Sequence, residues 1–133
     1  MSEASHLARG QRTGLEREKI CENVRTTGPM FERALHALAD LALVGEVRGS
    51  HFMMCIESVA HKDTKALLPA EANVGKRIAQ NCQQRGLIVR PLGHLNILSP
   101  ALTLVEAQIE EIGAILRSSI IATMDDLKRD GFV

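Results

Sequence analysis

The chain has 133 residues, of which 45% are hydrophobic and 24% are charged, and its 16 basic and 16 acidic side chains give a formal net charge of zero. This composition predicts one domain with its own core and excludes collagen-like, mucin-like and mostly disordered chains. With no net charge, no Trp or Tyr and only three Phe, the chain lacks the positive field and the stacking surface that nucleic-acid binding uses.

The sequence also predicts a cytoplasmic protein that binds neither membrane nor metal. No apolar run approaches the roughly 20 residues that cross a bilayer, and the first positions lack the apolar core of a signal peptide. Cys21, Cys55 and Cys82 are odd in number and have no CxxC spacing, which argues against a disulfide framework and against a zinc site. The five histidines form no pair at i,i+4 spacing, so metal-binding or acid–base roles are not favoured.

The N-terminal third is predicted to form a tail and a long, interrupted helix. Residues 1–14 have few large apolar side chains, so a disordered tail is expected. From Leu15 to Leu43, apolar residues recur at three- and four-residue steps and predict a helix. The stripe consists of Ile20, Val24, Phe31, Leu35, Leu38 and Ala42. Gly28-Pro29 predicts a kink or a break, because proline lacks a backbone donor and disfavours helical conformation at the residue before it.

The middle of the chain is predicted to form one strand and one helix. Val47–Val59 crowds apolar residues into a short stretch, and this continuous apolarity predicts a strand covered on both faces. Residues 61–73 mix charged residues with proline and predict a loop. Asn73 is expected to cap a helix over Val74–Arg85, and Gly86 is expected to end it in a left-handed conformation.

The C-terminal third predicts a hairpin and a helix. Leu87–Arg90 and Leu95–Ser99 are short apolar runs on either side of Pro91-Leu92-Gly93-His94, a spacing typical of a hairpin. Thr103 and Glu106 have the spacing of a capping box that starts the last helix. The predicted buried stripe of this helix is Ile109, Ile112, Leu116, Ile120 and Met124. The elements together predict an α+β fold in which a three-stranded antiparallel sheet packs against helices.

Two arginines are the side chains best suited to binding a ligand. Arg48 and Arg90 each lie at the end of a predicted strand, where a guanidinium can meet a carboxylate in bidentate geometry. Because exposed arginines are common and surface ion pairs contribute little, the residues alone favour a solvated side chain or a local ion pair. No nucleophile is indicated, since Ser50 lacks the GxSxG pattern and Cys55 lies in a strand predicted to be buried.

Three segments resemble a known family in their order and spacing. They are Val44-Gly45-Glu46-Val47-Arg48-Gly49, Gly86-Leu87-Ile88-Val89-Arg90-Pro91-Leu92-Gly93 and Leu98-Ser99-Pro100. With them, the chain from about Leu15 to the final helix resembles the C-terminal part of class III pyridoxal-phosphate-dependent aminotransferases, and most of all the omega-amino acid:pyruvate transaminase branch. The resemblance implies that residues 15–133 form the α+β small domain of a fold-type I enzyme. In that family the large domain, with the cofactor and its Schiff-base lysine, lies upstream of the matched segment.

The resemblance implies a role for one residue of this chain. Arg90 aligns with the mobile arginine that binds a substrate carboxylate in related transaminases, so substrate binding is expected of it. No catalytic, cofactor-binding or metal-binding residue is implied. The lysines that match no lysine motif of the family are Lys19, Lys62, Lys65, Lys76 and Lys128. Two small residues of the family are replaced by His51 and Cys55, whose bulk argues against close packing at those places.

The resemblance therefore predicts a truncated class III aminotransferase homologue that holds no pyridoxal 5'-phosphate by itself and is inactive alone. The family activity moves an amino group between an amine or omega-amino acid and a keto acid such as pyruvate. Two alternatives stay open: a subunit of a split aminotransferase completed by a separate large-domain chain, and a non-enzymatic module that binds a carboxylate or another protein. Apolar side chains suited to a missing domain are expected to face water, which favours self-association or binding of a large-domain chain.

Overall fold

A computed structural model describes the backbone of residues 3–133 and the side chains of residues 17–133. In chain order the elements are α1 (Glu3–His36), β1 (Val44–Ser50), β2 (Met53–Ser58), α2 (Val74–Gln84), β3 (Arg90–Leu92), β4 (Leu95–Leu98) and α3 (Glu106–Arg129). The strands form one antiparallel sheet in the order β1-β2-β4-β3. Helices α1 and α2 pack on one face of this sheet, and α3 packs against both helices. The predicted α+β class is confirmed, but the sheet has four strands and not three.

The fourth strand arises because the predicted strand Val47–Val59 is a hairpin. The chain reverses at His51 and Phe52, so that Ser50 pairs with Met53 and β1 runs back along β2. His51 takes a left-handed conformation with φ of 50°. Phe52 is buried and meets Phe31 of α1 edge to face, with ring centroids 5.6 Å apart. Because Phe52 is apolar and packs into the core, the run of apolar residues in the sequence gives no sign of a turn there.

The two faces of the sheet differ in burial. Side chains alternate along each strand, and those directed at the helices are buried. The buried set includes Val44, Val47, Met54, Ile56, Ser58, Asn96 and Leu98. The opposite side, which we call the outer face, consists of Glu46, Arg48, Ser50, Met53, Cys55, Glu57, Leu95, Ile97, Arg90 and Leu92, none of which is buried. The prediction that residues 47–59 are covered on both faces is therefore wrong.

Of the kink or break predicted at Gly28-Pro29, the break is wrong, since helix α1 runs through Pro29. Proline removes one backbone donor, but packing holds the helix beyond it, since Phe31 and Leu35 are fully buried. A short 3-10 turn, Ala37–Asp40, follows the helix and leads to the sheet. As described, the backbone of residues 3–14 belongs to α1, and the disordered tail expected over 1–14 stays a prediction. The first two residues and the side chains before Arg17 lie outside the described residues, and the domain boundary at residue 15 stays a prediction.

Helix α2 agrees with its prediction to within one residue. Gly86 follows it with φ of 87°, the left-handed terminus that the sequence predicts. Asn73 occupies the N-cap position as predicted, but its side chain does not cap the helix, because the residue is left-handed and its side-chain amide donates to the Glu71 carbonyl at 3.2 Å.

Helix α3 starts after Val105 and not at the predicted capping box. The Val105 N–H donates to Gln108 Oε1 at 3.0 Å, so this pair replaces Thr103 and Glu106. The chain reaches that point by burying Leu104, which places Thr103 in a turn before the helix. The predicted stripe is buried at Ile109, Ile112, Leu116 and Ile120 and partly buried at Met124.

Candidate carboxylate-binding site on the outer face

Arg90 is the first residue of the edge strand β3, and its side chain is exposed on the outer face. Pro91 confines this strand to an edge of the sheet, because proline has no backbone N–H to donate to a further strand. Gly93, with φ of 62°, turns the chain back into β4, so that Arg90 stands opposite Ile97. A cavity of about 330 Å³ opens there, lined by Met53, Ile88, Arg90, Ile97 and Ser99. The site combines one guanidinium with a mostly apolar wall.

The two arginines that the sequence singles out have different surroundings. Arg48 on β1 is paired, with Nη1 3.0 Å from Glu46 Oε2 and Nη2 3.6 Å from Glu57 Oε2. Arg90 forms no ion pair or side-chain hydrogen bond with any residue whose side chain the structure describes. The local ion pair expected of a surface arginine is therefore found at Arg48, while the guanidinium of Arg90 is available to a ligand.

A polar cluster occupies the other half of the outer face. Glu57 Oε2 lies 3.1 Å from His94 Nε2, in addition to its contact with Arg48. Cys55 lies between this cluster and Ile97 in the same row of the sheet. Burial raises the pKa of the Cys55 thiol, while the nearby Arg48 lowers it by a smaller amount. The thiol is therefore a poor nucleophile, although it lies on a partly exposed face and not in the buried strand that the sequence predicts.

His51 packs closely, contrary to the argument from its bulk. Its imidazole lies against Gly28 of α1, where a Cβ would overlap the ring. The backbone N–H of His51 donates to Glu32 Oε1 at 2.8 Å, and Ser50 Oγ lies 2.8 Å from His51 Nδ1. The missing side chain at Gly28 thus makes room for the histidine. Cys55 is accommodated for a different reason, since nothing in the described chain covers the outer face above it.

No described lysine has the surroundings that a covalently held coenzyme requires. Lys62 donates to the Ala39 carbonyl, and Lys65 Nζ donates to the Gly45 carbonyl at 2.6 Å. Lys19, Lys76 and Lys128 are exposed. Lys128 borders a groove of about 280 Å³ between α3 and the segments 41–43 and 59–60, but the other lining side chains are almost all apolar. Lys76 lines a groove of about 360 Å³ together with Arg77, Asp126 and Arg129, but this groove is open on the surface between α2 and α3, and both of its arginines are already paired with acids, Arg77 with Asp130 and Arg129 with Asp126.

Two features of the described residues bear on the predicted partners. Among residues 3–133, no helix combines the length and the apolarity that crossing a membrane requires. The same residues contain no group of three or more His, Cys, Asp or Glu side chains arranged to hold a metal ion. The predicted cytoplasmic location stays a prediction.

Sequence reasoning found Arg90 but missed the apolar side chains around it. The other lining residues lie at four different positions along the chain and meet only through strand pairing. They are Met53, Ile88, Ile97 and Ser99. Period-two alternation was the available signal, because Met53 and Arg90 fall on the same face once both hairpins are paired in register. The turn at His51 was not predicted from the sequence, and without that turn the shared face of Met53 and Arg90 is not apparent.

Comparison with known proteins identifies the family. The sequence model described as Aminotransferase class-III matches residues 5–120. The chain is 37% identical over 94 residues to an adenosylmethionine-8-amino-7-oxononanoate aminotransferase of Methanocaldococcus jannaschii, a match that covers 71% of this chain and 20% of that protein. It is 35% identical over 120 residues to an uncharacterised aminotransferase of Sinorhizobium fredii, with 88% of this chain and 26% of that protein covered.

Solved structures agree with the sequence comparison. An omega-aminotransferase from Paracoccus denitrificans superimposes with a TM-score of 0.80 and 39% identity, covering 83% of this chain and 24% of that one. The omega-transferase of Vibrio fluvialis gives a TM-score of 0.81 and 36% identity, with 84% and 27% covered. The chain spans between 20% and 27% of the length of these four proteins. On the family match, the identities and the shared α+β fold, the chain belongs to the class III aminotransferases.

Proposed function

We propose that this chain forms the substrate-recognition part of a class III aminotransferase, in which Arg90 binds the carboxylate of a substrate. The observation that carries the proposal is an exposed guanidinium without a carboxylate partner in the described chain, next to an apolar cavity. The complete reaction that we assign is transfer of an amino group between an amine or omega-amino acid and a keto acid such as pyruvate. The names of the two solved relatives, omega-aminotransferase and omega-transferase, support this substrate class.

The position of Arg90 suits recognition of a small carboxylate. A guanidinium binds a carboxylate through two parallel hydrogen bonds, and its planar fork fixes the orientation of the ligand. Met53 and Ile97 flank the cavity on the sheet side, and they favour an apolar substituent beside the carboxylate. Because Arg90 lies on an edge strand and pairs with no acid among residues 17–133, its side chain can also withdraw to admit a substrate that lacks the charge.

We propose in addition that the 133-residue chain does not hold pyridoxal phosphate and does not transaminate by itself. The described residues do not fit the coenzyme, since Lys62 and Lys65 are bound to backbone carbonyls and the remaining lysines are exposed. The bond-making chemistry of the family belongs to its cofactor, so a chain without a place for it supplies binding and orientation only.

The coenzyme proposal is tested with the purified chain. Pyridoxal phosphate is added, unbound cofactor is removed, and the chain is treated with borohydride and analysed by mass spectrometry. We expect no absorbance band from bound cofactor, no mass increase and no conversion of an amine with pyruvate. A covalently fixed cofactor on any lysine would overturn this part of the proposal and leave the role of Arg90 untouched.

The role of Arg90 is tested in a chimera, with residues 5–120 replacing the matching segment of the Paracoccus denitrificans omega-aminotransferase. Losing a charge-assisted bidentate contact of about 1.5–3 kcal/mol should raise the KM for pyruvate in the Arg90→Ala chimera by about 10- to 150-fold. An amine without a carboxylate should be affected little. Arg48→Ala is the matched control, since it removes a paired arginine from the same face. Equal effects of the two variants would contradict the assignment.

A second candidate, a free-standing carboxylate-binding module, is suggested by the accessible cavity beside Arg90. Calorimetry of the isolated chain against amino and keto acids separates the two. A substrate-recognition part is expected to bind them weakly, with Kd of about 1 mM or above, whereas a dedicated module requires Kd well below about 0.1 mM that is lost in Arg90→Ala. A split enzyme would show itself by activity on mixing with a large-domain chain.

A further inference from the structure

We infer that the Ser99 hydroxyl binds the same substrate carboxylate as Arg90 and adds to the selectivity of the site for that group. The inference rests on the proposed function, because it assigns a second residue to the cavity beside Arg90. Five side chains line this cavity, and Arg90 and Ser99 are the two that can donate a hydrogen bond from a polar atom. Leu98-Ser99-Pro100 is also one of the three segments that resemble the family, and of the three only the segment around Arg90 has a role in the proposed function.

The backbone directs the Ser99 side chain to the outer face. Leu98 ends β4 and is buried on the inner side of the sheet. Pro100 disfavours a helical conformation at the residue before it, so Ser99 stays extended and the alternation of side chains continues beyond the strand. Ser99 therefore lies on the same side as Ile97, where it is exposed.

The strand register places Ser99 diagonally across from Arg90. Arg90 pairs with Ile97 across β3 and β4, and Ser99 lies two residues beyond Ile97. Diagonal neighbours on one face of an antiparallel pair lie about 7–8 Å apart. Because the Arg90 side chain is long and both residues are exposed, its guanidinium and the Ser99 hydroxyl can reach one carboxylate from two sides.

A carboxylate can accept hydrogen bonds from both groups. Its two oxygens have about four lone-pair sites, of which a bidentate guanidinium uses two. Within residues 17–133, Ser99 Oγ forms no hydrogen bond, so its proton is free to be donated. The hydroxyl carries no charge, so it neither repels the guanidinium nor holds it in place when a substrate lacks a carboxylate.

The neighbours of Ser99 on the outer face are apolar. Met53 of β2 lies on one side of it, and Ile88, which precedes β3, lies on the other. Met53 is 61% exposed and Ile88 90% exposed, so both present apolar surface to a ligand. An acid with a short apolar chain therefore gains hydrogen bonds from the guanidinium and the hydroxyl at its carboxylate, together with apolar contact beside it. A substrate without a carboxylate gains only the apolar contact.

The first experiment is a titration of the full, isotope-labelled chain with pyruvate up to about 100 mM at constant ionic strength. NMR signals of Arg90 and Ile97 report binding. Ser99→Ala removes one hydrogen bond to a charged group, so Kd should rise about tenfold. Ser99→Thr keeps the hydroxyl and should stay within about threefold of the wild type. The matched control is Ser50→Ala, which removes an exposed serine of the outer face outside the cavity and should leave Kd unchanged.

The second experiment separates a direct contact from a change in the fold. In the chimera used to test Arg90, Ser99→Ala should raise the KM for pyruvate about tenfold and leave the KM for an amine without a carboxylate within about twofold. The Tm should not change, because Ser99 is exposed. A structural defect would instead raise both KM values or lower kcat.

The outcomes distinguish this inference from the proposed function. If Arg90→Ala weakens pyruvate binding and Ser99→Ala does not, the inference fails and the role of Arg90 stands. Equal losses in Ser99→Ala and Ser50→Ala, or a loss that Ser99→Thr shares in full, also overturn it. If Arg90→Ala has no effect on pyruvate in either experiment, the proposed function fails and the inference fails with it.

Discussion

The inner and outer faces of the sheet share apolar residues but serve different ends, since only the outer face also carries charged side chains. Met53 and Met54 are adjacent in β2, yet the first is 61% exposed and the second 1% exposed. The inner face binds the helices, and almost all of its contribution is to stability. The outer face holds the available arginine, the paired arginine and exposed apolar side chains such as Met53. Alternate residues of each strand therefore serve stability on the inner face and recognition on the outer face. Substitutions can test each face separately.

The largest expected contrast is between two thiols. Cys82 is fully buried in the core, whereas Cys55 lies partly exposed on the outer face. Cys82 reacts only when the chain opens, so its alkylation should be at least about a thousandfold slower than that of Cys55 for a domain with about 5 kcal/mol of stability.

The pH dependence follows from the direction of the pKa shifts. Burial raises the pKa of both thiols above the ordinary value of 9.0, so the thiolate fraction at neutral pH is small. Alkylation of Cys55 should therefore accelerate about tenfold per pH unit and keep rising through pH 9. Mass spectrometry of time-quenched samples measures all the sites, with the exposed Cys21 as reference. Equal rates for Cys55 and Cys82 would contradict a closed core.

The adjacent methionines give the next largest effect. Met54→Ala should lower the free energy of unfolding by about 2–5 kcal/mol, because it leaves a cavity in a packed core. Met53→Ala should change it by no more than about 0.5 kcal/mol, since its side chain already contacts water. Urea titration followed by circular dichroism measures both, at a concentration low enough to keep the chain monomeric. Similar losses for the two variants would mean that the outer face is covered in solution.

Two helical glycines sharpen the comparison on the inner side. A Cβ on Gly75 in α2 would overlap the backbone carbonyl of Gly93, so Gly75→Ala should cost about 1–3 kcal/mol of stability. A Cβ on Gly113 in α3 would meet only Ala34 at 3.8 Å. Gly113→Ala should therefore stabilise the chain by up to about 1 kcal/mol, through helix propensity. A Gly75→Ala variant as stable as Gly113→Ala would show that α2 does not dock tightly on the β3–β4 turn.

The smallest effect is expected on the outer face. Arg48→Ala breaks the contacts with Glu46 and Glu57, all of them at least partly exposed. Surface ion pairs of this kind contribute about 0–1 kcal/mol, so the change in unfolding free energy should stay below about 1 kcal/mol and diminish as salt increases. A loss above about 2 kcal/mol would instead make the Arg48 cluster part of what holds the fold together.

Local signals were sufficient to predict some elements. The hairpin before α3 was predicted, but its first strand is Arg90–Leu92 and not Leu87–Arg90, since Pro91 and Leu92 pair with β4 and the turn is confined to Gly93 and His94. Gly93 makes that turn and Gly86 ends α2 through the positive φ that glycine adopts readily. Long apolar periodicity located α3 and its buried stripe. Arg90 emerged from a resemblance of motifs and not from its chemistry, because one arginine in a sequence cannot be told from another until its neighbours are known.

The remaining features depend on contacts between distant parts of the chain. The β1–β2 turn contains His51 and Phe52, and it forms because α1 provides Phe31 and a glycine for them to pack against. Pro29 stays within a helix because tertiary packing outweighs its local cost. The cavity beside Arg90 requires the register of three strands, which is set only when both hairpins pair.

The contact between His51 and Gly28 has a consequence for exchanging parts with relatives. At the tip of the hairpin, His51 packs into the space that Gly28 in the middle of α1 leaves free. Neither the hairpin nor the helix can therefore be transplanted alone. A chimera that keeps His51 but brings an alanine at position 28 should be destabilised, and trimming the histidine to glycine should restore it. Any successful graft of this domain must therefore carry Gly28 of α1 and the hairpin with His51 across together, as a graft of residues 5–120 does.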